Sequence, residues 1–66
     1  MIISIKTTKG TIESPKYPDT WAVENVLKGK IRELENMISK RREVYLKIDN
    51  WIAYIRKKEL LSIELK

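Results

Sequence analysis

The chain has 66 residues, with fourteen Lys and Arg against nine Asp and Glu for a formal net charge of +5, and it has neither cysteine nor histidine. This length allows one domain, with a core near the lower limit for unaided folding. Without cysteine there is no disulfide or thiolate metal site to supplement that core, which makes a homo-oligomer the expected staple.

The first segment, MIISIKTTKG, reaches Lys6 too soon for a signal-peptide core, and no apolar run approaches the roughly 20 residues of a membrane span. A cytoplasmic protein with no membrane partner is expected, and the lack of cysteine fits a reducing compartment. Residues 1–14 read as a hairpin. Ile3 and Ile5 alternate with Ser4 and Lys6, and Lys9-Gly10 supplies a two-residue turn with glycine free to take positive φ. That turn pairs Thr7 with Ile12 and Lys6 with Glu13, leaving Ile3, Ile5 and Ile12 on one face.

SPKYPDT is a linker. Pro15 and Pro18 disfavour regular structure, and Asp19 or Thr20 can cap the next element. Over 20–41 the period becomes helical: Val23, Leu27, Ile31, Leu34 and Ile38 recur every three or four residues, and Val26 and Met37 widen the stripe. Lys40, Arg41 and Arg42 are expected at the helix C-terminus, where cations oppose the macrodipole. Lys30 lies inside the apolar arc and is expected to snorkel to its edge. Trp21 is on the side opposite the stripe.

Residues 43–66 alternate with a period of two in EVYLKI, WIAYIR and LLSIEL, which predicts a three-stranded antiparallel meander. Val44, Leu46 and Ile48 form one face of its first strand, and Leu61, Ile63 and Leu65 one face of its last. In the middle strand either Ile52 and Tyr54, or Trp51, Ala53 and Ile55, can face the helix. The expected fold is a small α+β domain of order ββαβββ, with one helix packed on an antiparallel sheet. Many unrelated folds share this order, so it names no function.

The catalytic inventory is short. Without His or Cys the usual general base, the best thiol nucleophile and the commonest neutral metal ligand are missing. Two glycines are too few for a phosphate-cradling loop. A non-enzymatic protein without cofactor or metal is the expectation.

Charge is unevenly placed. Residues 1–39 carry six bases against five acids, whereas residues 40–66 carry eight against four. If EVYLKI and WIAYIR pair around Asp49-Asn50, position 42 falls beside 57 or 58. Lys40, Arg41 and Arg42 then converge on Arg56, Lys57 and Lys58 as one patch, with Glu43 and Glu59 nearby. Such a patch suits phosphates, and Tyr45 and Trp51 are candidates to stack unpaired bases. Each feature alone has an ordinary reading as a solvated turn or a core aromatic.

Ala22, Gly29 and Asn36 recur every seven residues beside the apolar stripe, where small side chains would let a second copy approach. The favoured function is therefore a small binding or regulatory protein with nucleic acid as the anionic partner. The alternative is a module docking on another protein, such as an inhibitor or adaptor of the kind phages and mobile elements encode, with charge steering association. An oligomer trapping a nucleotide or other small anion is a third reading.

Overall fold

A computed structural model describes all 66 residues. The elements are β1 (Ile3–Thr7), β2 (Gly10–Glu13), α1 (Trp21–Ile38), β3 (Glu43–Ile48), β4 (Trp51–Arg56), a 3-10 turn over Lys57–Glu59, and β5 (Leu60–Leu65). One helix thus packs against antiparallel sheets in the order ββαβββ, the α+β class expected.

The predicted meander does not form. β5 leaves β4 and pairs antiparallel with β1, giving one sheet ordered β2-β1-β5 and a separate two-stranded sheet of β3 and β4. Ile3 and Ile5, fully buried, lie opposite Leu65 and Ile63, so apolar residues face the core from both strands. The ladder runs on to Ile2 and Lys66, which exchange two backbone hydrogen bonds of 2.9 Å. An irregularity between Lys6 and Thr7 sets Thr7 against Leu60 and Lys6 against Ser62. Leu61 is the extra residue; the bulge turns it outward to 66% exposure while Leu60 packs on the core. The expected face of Leu61, Ile63 and Leu65 is therefore broken at its first member.

The first hairpin turns at Thr8-Lys9 instead of Lys9-Gly10, so Thr7 pairs with Gly10 and Ile5 with Ile12. Gly10 still takes a positive φ, 133°. The hydroxyl of Thr7 donates to the Gly10 carbonyl at 2.8 Å and accepts from Lys9 N at 3.2 Å, holding the tighter turn. A two-residue shift preserves side-chain parity, so Ile3, Ile5 and Ile12 keep a common face. At the other end, Ser14 Oγ accepts from Ile3 N at 2.8 Å and donates to the Pro15 carbonyl at 2.9 Å. The hydroxyl thereby serves the ladder where Pro15 ends the strand.

Thr20 caps α1, its hydroxyl accepting from Val23 N at 3.2 Å. Leu27, Leu34 and Ile38 are buried, and Val23, Ile31 and Met37 are partly so. Val26, expected to widen the stripe, is exposed. The helix ends at Ile38, short of residue 41. Ser39 donates its hydroxyl to the Asn36 carbonyl at 2.7 Å, and Lys40 N reaches back to Met37 O at 3.1 Å. Lys40, Arg41 and Arg42 therefore lie beyond the last turn, which contains no base.

Ten apolar residues make the core: Ile3 and Ile5 from β1, three from α1, Val44, Leu46 and Ile48 from β3, and Ala53 and Ile55 from β4. Full burial of a side chain such as Leu27 or Ile55 stabilises by about 1.5–3 kcal/mol. With so few such residues, each is a large share of a net stability of about 5–15 kcal/mol.

Candidate functional site

The β3–β4 hairpin closes through a two-residue turn at Asp49-Asn50, with Asp49 at φ 52° in the left-handed region that Asp tolerates better than most residues. This turn pairs Ile48 with Trp51, and the register runs without a break to Glu43 opposite Arg56. One step further, Lys57 N donates to the Arg42 carbonyl at 2.8 Å. Of the predicted convergence of the two basic segments, Arg42 is brought against Arg56, Lys57 and Lys58. Arg42, Glu43, Arg56, Lys57 and Lys58 line an open concavity of about 900 Å³, with no apolar side chain in its wall. Lys57 Nζ also approaches the Ser39 carbonyl at 3.4 Å, a cation at the end of α1 where the macrodipole favours it. Lys40 and Arg41 are exposed in the connection that leads to this corner but do not line the concavity.

Neither neighbouring acid forms an ion pair with a base of the corner. Glu59, in the 3-10 turn, pairs with Lys9 at the tip of the first hairpin at 3.0 Å, and Glu43 accepts a hydrogen bond from the Tyr54 hydroxyl. The other ion pairs are Lys6–Glu64 and Lys28–Glu24. None of Lys40, Arg41, Arg42, Arg56, Lys57 and Lys58 therefore has a carboxylate within 4.0 Å. Glu43 is the one acid among the four bases of the wall, so the positive field is reduced there but not cancelled.

The hydrogen bond to Glu43 is the main reason the Tyr54 phenol ionises above its usual range. Desolvation and the carboxylate's charge act in the same direction, and Arg56 opposes them. Tyr17, in the linker, is also raised, first by burial and then by the charge of Asp49 at the far tip of the hairpin.

The two candidate stacking residues part company. Tyr45 is 65% exposed on the outer face of the hairpin, where it meets Tyr54, itself 42% exposed, with ring centroids 5.0 Å apart and planes tilted by 42°. Trp51 is on the inner face at the opposite end, five residues from Arg56 or roughly 16 Å along the strand, and packs against the core. It cannot belong to the basic corner. Tyr54 takes its place. The signal for Tyr54 lay in the turn: a two-residue loop pairs even positions of β3 with odd positions of β4, so burying Val44, Leu46 and Ile48 also buries Ala53 and Ile55 and turns Ile52 and Tyr54 outward.

A smaller groove of about 200 Å³ runs between α1 and β3, where Tyr45 and Met37 lie among Lys30, Lys47 and Glu33. Lys30 is half-buried there.

Ala22, Gly29 and Asn36 are all exposed on the outer side of α1 with Val26, and a Cβ placed on Gly29 would meet nothing within 4 Å. Trp21, the first residue of α1, is 79% exposed.

No protein-family model, curated protein or solved structure matches the chain. Its geometry carries the functional reading.

Proposed function

We propose that this chain is a small non-enzymatic binding protein that holds nucleic acid at the corner formed by Arg42, Arg56, Lys57 and Lys58, with Lys40 and Arg41 adding to the field. The observation that carries the reading is the joining of two basic segments into one concavity while both nearby acids bond to other side chains. A local excess of this kind neutralises several phosphates at once, and counterion release then makes affinity depend steeply on salt.

The test is fluorescence polarisation with labelled oligonucleotides over a salt series. The reading predicts binding at low salt and a steep log–log slope. In Arg42→Ala/Arg56→Ala the slope should fall by about 1.4 to 1.8, or 0.7 to 0.9 for each lost phosphate contact. No binding at low salt would end this reading.

A second reading, docking on another protein, is favoured by Ile52, Tyr45 and Tyr54, large exposed side chains that adjoin on the outer face of the β3–β4 hairpin. In that case the basic corner steers the encounter and contributes little to affinity. Self-association through Ala22, Gly29 and Asn36 is compatible with either reading, because that face of α1 is open.

A further inference from the structure

We infer that the nucleic acid taken by this corner is single-stranded, with unpaired bases stacked on Tyr45 and Tyr54. The inference rests on the proposed function and adds the strandedness of the ligand and the residues that read it.

The outer face of β3–β4 has three cross-strand pairs: Glu43 with Arg56, Tyr45 with Tyr54, and Lys47 with Ile52. Nothing covers this face, and Tyr45, Ile52 and Tyr54 are all exposed on it. Cations flank the tyrosines on both sides. Arg56 and the rest of the corner lie at one end, while Lys47 lies at the other and shares a groove with Lys30 beside Tyr45. Neither Lys30 nor Lys47 has a carboxylate within 4.0 Å. The order along the surface is cations with Glu43 among them, the aromatic pair, then cations with Glu33 beside them.

This order matches a strand whose phosphates alternate with accessible bases. A strand on this surface would set phosphates against the cations while its bases reach the rings between them. A duplex offers the corner the same phosphates, but its bases are already stacked on one another and the tyrosines gain nothing.

The two rings touch with their planes tilted by 42°, and both side chains keep exposed surface that a planar ligand can reach. The hydrogen bond from Tyr54 to Glu43 holds that ring in place before any ligand arrives. Glu43 is thus a positioning residue. Ring stacking accepts any base, so little sequence preference accompanies it.

The test compares four labelled ligands of equal length at one salt concentration: single-stranded DNA, single-stranded RNA, duplex DNA, and an abasic deoxyribose-phosphate strand. One or both single strands should bind about tenfold more tightly than the duplex and the abasic strand, the scale of one lost stacking contact. Tyr45→Ala should remove that advantage, leave abasic binding and the salt slope unchanged, and be rescued by Tyr45→Phe. Equal binding of all four ligands, with Tyr45→Ala neutral, would overturn the inference and leave the basic corner intact as a phosphate site. Binding of none of the four would instead remove the proposed function on which the inference rests.

Discussion

The amide of Lys57 donates to the carbonyl of Arg42 across 2.8 Å, so two basic segments fifteen residues apart are joined by backbone as well as by shared surface. A backbone contact of this kind survives replacement of either side chain. The charges at the corner can therefore be altered one at a time without moving the strands that carry them.

Glu43 is the one acid lining the corner, and its removal should strengthen binding. Glu43→Gln removes a negative charge from a site for phosphates while keeping an acceptor for the Tyr54 hydroxyl. Affinity for an oligonucleotide should rise roughly two- to fivefold, the effect of an exposed charge pair. Polarisation at fixed salt measures the change, and unchanged or weaker binding would count against phosphates occupying this corner.

Alkaline titration reads the same contact from the tyrosine. The Tyr54 phenol is raised in the folded state, so above the ordinary tyrosine range the native chain binds more protons than the unfolded one. The bond to Glu43 therefore contributes to stability below that range, and the contribution is lost as pH climbs through the folded value. Near-ultraviolet phenolate absorbance should show at least one late-ionising tyrosine, and Glu43→Ala should shift an ionisation to lower pH. An identical titration curve in the variant would show that the bond does not persist in solution.

Two buried serines on or beside β1 should respond oppositely to alanine. The hydroxyl of Ser14 satisfies the backbone N–H of Ile3, so Ser14→Ala leaves a buried donor unpaired at a cost of about 1–3 kcal/mol. The hydroxyl of Ser4 is buried without a partner, and Ser4→Ala should be neutral or stabilising. Urea denaturation of the two variants measures the difference, and an equal loss in both would contradict the assignment of hydrogen bonds at this end of the hairpin.

Gly29→Ala tests the open face of α1. A methyl group there enters free space, so the isolated chain should gain about 1 kcal/mol from helix propensity. If copies approach through Ala22, Gly29 and Asn36, the same methyl group should shift the population toward monomer. Light scattering over a concentration series measures the second effect, and a wild-type chain that stays monomeric throughout would remove self-association by this face.

Local pattern carried the helix and the second hairpin. Val23, Leu27, Ile31, Leu34 and Ile38 repeat at helical spacing and all pack on or within the core. Alternation in EVYLKI and the Asp49-Asn50 turn brought residue 42 to residue 57. What local pattern could not supply was the partner of β5. Ile63 and Leu65 suit β4 and β1 equally well as alternating apolar residues. The choice depends on the Lys57–Glu59 turn, which redirects the chain, and on its ties to the first hairpin through Thr8 N to Glu59 O and through Lys9 to Glu59. Those contacts span about fifty residues and leave no periodic trace. The helix stops at Ile38 for a more local reason: Ser39 turns its hydroxyl onto the Asn36 carbonyl, an alternative to another helical turn.

Titration of the chain with a short single-stranded oligonucleotide, followed by amide correlation spectra, tests most directly whether the two basic segments act together. If they do, residues 40–43 and 56–58 shift in one saturable event with a common midpoint, accompanied by Tyr45 and Tyr54. Shifts confined to one basic segment, or separate midpoints for the two, would contradict joint action.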